Sequence, residues 1–402
     1  MERRIVTTLS PVYGGYALAR TEDLGVLFIR GALPGEKVEV RLMERKKDYA
    51  FADTLQVLSP SPYRVDPPCR YFGECGGCQL QHASYGYQID MKRLVLQEAF
   101  RRIGRADVYP GLGTPGPQFG YRYRGQFKTD GEGIGFYAER SRLLVPVSRC
   151  PLMLGRINVA LPALRGLGRI VPGISEIHVA TDGEQAVAWF PGVRFDRRIT
   201  DRIRGFLSGA TFEDRSWGKE KITLELEGLS YGVSTGSFFQ ANWRVNAILV
   251  RRILEVVKGS PGGRLLDLYA GAGNFALPLA SRFGEVVAVE EETRAFLGLR
   301  RNIRGNGIGN VRPVKSSVEH YRPDGRFDVL VLDPPRSGLS AKALALARGI
   351  GAEAVCYVSC NPSTLARDVA SLSDRYALGL LQMFDFFPNT HHVEALAVLF
   401  PR

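Results

Sequence analysis

The rhythm of apolar and polar positions changes twice along the chain. Up to about residue 58, short apolar runs such as Gly25-Val26-Leu27-Phe28-Ile29 and Lys37-Val38-Glu39-Val40-Arg41-Leu42 are separated by Gly and Pro turns, among them Gly31-Ala32-Leu33-Pro34-Gly35-Glu36. Five or so short strands in so little chain predict a small OB-type β-barrel. Ser59-Pro60-Ser61-Pro62-Tyr63 and then Pro67-Pro68 break the pattern, because proline fixes φ and has no N–H to give a ladder. Apolar positions at Ile89, Leu94, Leu96 and Phe100 predict a helix over 87–103. A Gly/Pro linker follows at 111–120, and 121–236 reads mostly as strands and turns with one helix around 156–167.

From Phe238 onward the pattern becomes strand alternating with helix. A helix over 243–258 precedes apolar strands at 264–268, 286–289, 327–332, 354–358, 378–383 and 395–400. That order predicts a doubly wound, mostly parallel sheet. The expected architecture is multidomain α/β: a barrel over 1–60, a central mostly-β domain over 61–236 and a Rossmann-like domain over 237–402. No internal repeat or low-complexity tract interrupts it.

Composition narrows the class without naming it. Hydrophobic residues at 45% and charged residues at 23% are ordinary for a folded globular chain. No apolar run is long enough to cross a bilayer, and Met1-Glu2-Arg3-Arg4-Ile5-Val6 lacks the apolar core of a signal peptide. The expectation is a cytoplasmic protein without an obligate protein partner, whose cysteines stay reduced unless they bind metal or react. The net charge of +12 lies almost entirely in residues 61–402. It suits a polyanion such as RNA or DNA, although many cytosolic proteins are basic without one.

Candidate chemistry sits at strand ends. Leu266-Asp267-Leu268-Tyr269-Ala270-Gly271-Ala272-Gly273-Asn274 reads as strand, glycine turn and helix start, where Gly271 and Gly273 let a ligand approach the backbone. Glu290, at the end of the next strand, can take the ribose hydroxyls of an adenosine. The third glycine of a dinucleotide fingerprint is missing, with Phe275 and Ala276 in that region. A ligand without pyrophosphate, S-adenosylmethionine, is therefore favoured over NAD.

Cys360 follows the strand at 354–358 in Val358-Ser359-Cys360-Asn361-Pro362, and Asp333-Pro334-Pro335-Arg336 holds the same place on the strand before. Ligands bind beyond the carboxyl ends of such strands. Uracil C5 is a poor nucleophile, but thiolate addition to C6 makes an enolate whose C5 can attack a sulfonium methyl group. A base must then remove the C5 proton and expel the thiol; Glu394, in His391-His392-Val393-Glu394, is the candidate. Cys356, mid-strand, reads as a small buried hydrophobe. His391 and His392 are adjacent on a chain expected to be extended, which would point them to opposite faces and away from a shared metal.

The other cysteines are Cys69, Cys75, Cys78 and the distant Cys150, which precedes Pro151. Four thiols in a reducing compartment point to iron–sulfur or zinc. Three clustered ligands, one remote ligand and a Cys-Pro favour a 4Fe–4S cluster over zinc, and either over disulfides.

Together these motifs resemble the RNA uracil-5-methyltransferase family, most closely the bacterial iron–sulfur type that forms 5-methyluridine in 23S ribosomal RNA. They are Cys69-x5-Cys75-Gly76-Gly77-Cys78, Leu268-Tyr269-x-Gly271-x-Gly273-Asn274-Phe275, Asp333-Pro334-Pro335-Arg336, Ser359-Cys360-Asn361-Pro362-x-Thr364-Leu365-Ala366-Arg367-Asp368 and His392-x-Glu394, and they span nearly the whole chain. The resemblance implies a TRAM-type barrel that binds RNA, Cys360 as nucleophile and Glu394 as base. It implies a S-adenosylmethionine site lined by Gln240, Tyr269, Asn274, Glu290 and Asp333, and a cluster held by Cys69, Cys75, Cys78 and Cys150. It also implies that the helix at 87–103 packs with the catalytic domain. Where the family often has Asp or Asn near the adenine, Val314-Lys315-Ser316-Ser317 stands here; Ser317 is the remaining candidate for that contact.

The target uridine would be flipped out of its RNA to reach Cys360. In Tyr121-Arg122-Tyr123-Arg124-Gly125-Gln126-Phe127-Lys128, rings and charges alternate. The rings either stack RNA bases or fill a core. The same chemistry on tRNA is the alternative substrate reading, and a non-catalytic iron–sulfur RNA sensor the alternative class.

Overall fold

The computed structural model describes residues 2–259 and 263–402. The N-terminal segment forms one six-stranded sheet in the order Arg3–Thr7, Lys37–Arg45, Tyr49–Ser59, Gly25–Arg30, Tyr16–Thr21, Ser10–Val12. All neighbours are antiparallel except Gly25–Arg30 with Tyr49–Ser59. It curls round a small core of Leu27, Ile29, Val38, Val40, Ala50 and Ala52. The alternation that predicts the strands is the alternation that fills this core: Val38 and Val40 are fully buried while Lys37 and the end of the strand are exposed.

The middle of the chain forms a seven-stranded sheet, from Leu144–Pro146 at one edge through Ile134–Tyr137, Arg124–Thr129, Glu176–Thr181, Ala186–Trp189 and Gly209–Thr211 to Ser216–Gly218. Helices Gly155–Leu164, Leu167–Ile170 and Arg197–Ile203 accompany it, the last unforeseen because its only clear signal is the cap at Asp196. A hairpin, Lys221–Leu226 with Leu229–Ser234, follows. Its Ile222, Leu224 and Tyr231 share a core with Leu249 and Ile253 of the helix Trp243–Val256.

The C-terminal sheet has eight strands, in the order Val311–Lys315, Glu285–Glu290, Arg264–Leu268, Val329–Leu332, Ala354–Ser359, Glu394–Pro401, Tyr376–Phe384, Gly111–Leu112. The first five are parallel, and Glu394–Pro401 is inserted antiparallel between Ala354–Ser359 and Tyr376–Phe384. Central strands are buried on both faces, which is why they read as continuous apolar runs. Strand order reverses between Arg264–Leu268 and Val329–Leu332, and ligands bind at such a switch point. Part of the expected linker at 111–120 serves here as the edge strand Gly111–Leu112.

The helix Tyr85–Ala99 continues as one π-helical turn, Phe100–Gly104. Its Ile89, Leu96 and Phe100 lie in the same core as Leu266, Val355 and Leu365. Among the described residues no helix is long and apolar enough to cross a membrane.

Candidate active site

The glycine turn leaves the strand Arg264–Leu268 through Tyr269 at φ +66°, Gly271 at +58° and Gly273 at +96°. A non-glycine residue in the left-handed region is strained by roughly 1–3 kcal/mol, and here it begins the loop. At Gly273 an L side chain would be strained by the positive φ and would require the Leu277 and Leu299 side chains to shift. The Glu290 carboxylate faces the turn: Gly271 N donates to Oε2 at 2.8 Å and Glu292 N to Oε1 at 2.5 Å. Beneath it, Asp267 is fully buried and accepts from Ala276 N at 2.9 Å, leaving Oδ1 without a partner. Burial, with the nearby Asp333, raises its carboxyl well above the usual range.

The neighbouring segments are tied to this turn by side-chain amides. Asn246, on the helix Trp243–Val256, pairs with Asn274 through two bonds of 2.6 and 3.0 Å. Asn242 caps that helix by accepting from Val245 N and donates Nδ2 to Phe386 O at 3.1 Å. Gln240, two residues before Asn242, is buried. Ser317 Oγ is engaged by His320 Nδ1 at 2.7 Å.

The thiol and the carboxylate are brought together by strand register. Val358 pairs with Leu396 and Ser359 with Ala395, so the next position in the antiparallel ladder sets Cys360 across from Glu394. Cys360 then turns into the helix Pro362–Ser371, capped by Asn361, whose Nδ2 also donates to Arg336 O at 2.9 Å. Burial and then the Glu394 charge push the Cys360 thiol up to about 11, while Arg336 pulls it down by its charge and a hydrogen bond. Glu394 is raised well above the usual range, by burial first and Asp333 second, against Arg336. Burial pushes Asp333 up to about 7. Arg336 thus acts on both Cys360 and Glu394, though not on Asp333; it lies in a motif the sequence made visible, yet its side chain had no assigned role there.

The loop leading to Glu394 is pinned from two sides. Lys92, fully buried, donates to Asp385 Oδ1 at 2.7 Å and to Phe387 O at 2.9 Å. Gln88 exchanges bonds with Asn389 at 2.8 and 3.2 Å, and Asn389 sits at φ +68°. Contrary to expectation, His391 and His392 do not point apart: they precede the strand, and their rings lie 4.2 Å from each other. Burial lowers them to about 4 and about 3. The rings of Tyr121 and Phe127 are fully buried and build core, and Tyr123 is half-buried against it.

Cys69, Cys75, Cys78 and Cys150 line one cavity with about 510 Å³ of empty space, part of it open to solvent. None forms a disulfide. Arg122 also lines it, and Arg122 Nε and Gln81 Nε2 are buried without partners. Among the described residues no group of three or more His, Cys, Asp or Glu could hold a metal ion, so the expected 4Fe–4S cluster is not shown.

A doubly wound sheet with a glycine turn, a ribose-type carboxylate and a thiol at its carboxyl edge defines a nucleotide-dependent group-transfer enzyme. Residues 211–323 and 322–402 match the tRNA (uracil-5-)-methyltransferase family, and residues 5–55 match the TRAM domain. The 23S rRNA (uracil(1939)-C(5))-methyltransferase RlmD of Alkalilimnicola ehrlichii is 34% identical over 94% of this chain and 92% of its own. A protein of Aquifex aeolicus described only as an RNA methyltransferase is 32% identical over 96% of both. The Pyrococcus abyssi tRNA (uracil-54, C5)-methyltransferase, solved with S-adenosyl-L-homocysteine, superposes with a TM-score of 0.80 at 25% identity over 99% of each chain. The chain belongs to the RNA uracil-5-methyltransferase family and is a S-adenosylmethionine-dependent uracil-5 methyltransferase with an N-terminal TRAM domain.

Proposed function

We propose that the enzyme methylates C5 of a uridine in 23S ribosomal RNA, at the position corresponding to that of its RlmD relatives, with Cys360 as nucleophile and Glu394 as base. What supports the mechanism is the ladder register, which ends at Ser359 opposite Ala395, one residue short of Cys360 and Glu394, together with the Glu394 charge acting on the Cys360 thiol. Gln240, Tyr269, Gly271, Gly273, Asn274, Glu290 and Asp333 are assigned to the S-adenosylmethionine site, Glu290 toward the ribose.

When bound, S-adenosylmethionine supplies the methyl group as a cation equivalent. Burial raises the Cys360 thiol to about 11 and raises the Glu394 carboxyl, while Arg336 lowers both. The reaction uses both groups in their ionised forms, their protons having passed to solvent. The Cys360 thiolate adds to C6 of the uracil, and the electron pair moves to the C5–C4–O4 enolate. C5 then takes the methyl group. Glu394 removes the C5 proton, and the electrons of that C–H bond restore the C5–C6 double bond and expel the thiolate. The products are 5-methyluracil, S-adenosyl-L-homocysteine and the C5 proton; Glu394 passes that proton to solvent to become a base again, and the expelled thiolate is ready for the next uracil. The uridine is read as flipped out of its RNA, since a base inside a helix cannot reach a thiol at a sheet edge.

Cys69, Cys75, Cys78 and Cys150 are assigned to a 4Fe–4S cluster, supported by the cavity they line and by the unpartnered Arg122 Nε beside it. Its contribution would be to clamp segment 69–78 to Cys150. The domain division 1–60, 61–236 and 237–402 is proposed on the three main sheets, with the helix Tyr85–Ala99 serving the catalytic core.

The likeness to the Pyrococcus abyssi enzyme favours tRNA as the second substrate reading. Methyl transfer from labelled S-adenosylmethionine to unmodified 23S rRNA and to unmodified tRNA, with nucleoside analysis, separates the two. Label in 5-methyluridine of 23S rRNA alone is expected; label in tRNA alone overturns the substrate and keeps the reaction.

A further inference from the structure

The tip between strands Ser10–Val12 and Tyr16–Thr21 leaves the barrel and enters the catalytic cleft. Gly14 and Gly15 turn it at φ +100° and +81°, backbone that an L side chain rarely adopts. Gly15 passes so close to the cysteine segment that a Cβ would lie 2.6 Å from Gln79 Cβ. This passage seats Tyr13 deep in the interface. Its ring meets His391 edge-on with centroids 5.4 Å apart, and its Oη lies 3.5 Å from the Cys360 carbonyl oxygen. With Leu80, Met91 and Val393 it lines a narrow cleft with little free space. Its phenol is desolvated and within the fields of Arg336, Cys360 and Glu394.

We propose that Tyr13, presented by the N-terminal barrel, is a positioning residue for Cys360: its hydroxyl donates to the Cys360 carbonyl and fixes the turn that aims the thiol at the base. The carbonyl and the side chain leave neighbouring atoms of one residue, so holding the first restrains the second. A separation of 3.5 Å is long for O–H···O, but catalytic hydrogen bonds in ligand-free sites tighten when the substrate is in place. The inference rests on Cys360 as the nucleophile. It makes the barrel part of the reacting centre as well as a means of holding RNA.

The test uses the full-length protein and RNA carrying 5-fluorouridine at the target. Fluorine cannot leave C5 as a proton does, so the covalent adduct persists and its formation rate can be read on a denaturing gel. Tyr13→Phe keeps the ring against His391 and removes only the hydroxyl. It is expected to form adduct about threefold to tenfold more slowly, with unchanged RNA affinity and unchanged S-adenosylmethionine affinity. A Tyr13→Phe rate equal to wild type, with Tyr13→Ala slow, would mean the ring merely packs and overturns the proposal. So would a loss explained wholly by weaker RNA binding. No adduct with wild type, or an adduct that still forms with Cys360→Ala, overturns the Cys360 assignment itself and the role of Tyr13 with it.

Discussion

Replacing Glu394 by Gln isolates one step of the reaction. The side chain is 5% exposed and its carboxyl is raised well above the usual range, first by burial. Gln is nearly isosteric and removes the ionisable group whose charged form burial disfavours. Folding stability should therefore not fall. The sign can be worked out. A carboxyl whose folded pKa lies above its unfolded one destabilises the native state once pH exceeds the unfolded value, and contributes nothing below it. Glu394→Gln should therefore melt at or above the wild-type temperature at pH 8, and the difference should vanish near pH 4.

Turnover should behave differently. Loss of a general base slows its step by about 10²–10⁴-fold, or about 3–5.5 kcal/mol of barrier. His391 and His392, lowered to about 4 and about 3, are neutral but weak bases at pH 7. Asp333, which burial pushes up to about 7, lies just past the end of the neighbouring strand Val329–Leu332 and is assigned to the cofactor rather than to the C5 proton. The thiolate addition and methyl transfer precede the lost step, so one methyl group per enzyme should be transferred and then trapped. Single-turnover reaction with labelled S-adenosylmethionine and RNA, resolved under denaturing conditions, should give a methylated protein–RNA band of near-stoichiometric yield. Turnover within tenfold of wild type, or a complete absence of that band, would refute the assignment of the base.

Three further outcomes follow from the same geometry. Lys92→Met should destabilise the protein by about 3–5 kcal/mol in a denaturant titration, because it strands the buried Asp385 carboxylate; Lys92→Met with Asp385→Asn should recover much of that. Gly273→Ala should weaken S-adenosylmethionine binding at least tenfold by calorimetry, since its Cβ is strained at φ +96° and requires Leu277 and Leu299 to shift. Anaerobically reconstituted protein should carry about four irons per chain, and Cys150→Ser should lose iron and visible absorbance; full retention by that variant would remove Cys150 from the ligand set.

How much of this could be read from the sequence depended on the range of the contact. The glycine turn, Glu290 and the Asp-Pro-Pro-Arg segment are local: each lies within a few residues of a strand whose apolar run announces it. The barrel strands were visible for the same reason, their alternation being the record of one buried face. The short helix Arg197–Ile203 was not, because its turn of basic residues faces solvent and its apolar positions are few. The aromatic–basic run at 121–128 shows the opposite failure: alternation identifies two faces but not which of them meets water, and burial of Tyr121 and Phe127 decided that. His391 and His392 were misjudged because adjacency implies opposed faces only in a strand, and the strand begins three residues after His391, at Glu394.

The pairing of Cys360 with Glu394 belongs to a third kind of information. Both residues could be nominated from chemistry, but a parallel continuation of the sheet would have carried the last strand past the site in the other direction. What joins them is the antiparallel insertion of Glu394–Pro401 beside Ala354–Ser359, which starts one strand where the other ends. That insertion needs the chain to return between two strands already in place, and the return loop at 385–393 is where distant segments converge. Lys92 and Gln88 hold it from the helix Tyr85–Ala99, Gln79 donates its backbone N–H to Asn389 from the cysteine segment, and Tyr13 reaches it from the barrel. Every one of these anchors lies about 290 or more residues upstream of the loop. The loop that leads to Glu394 is therefore held by the N-terminal quarter of the chain, and, on the proposed role of Glu394, truncation of that quarter should disable proton removal even where the sheet that carries Cys360 still folds.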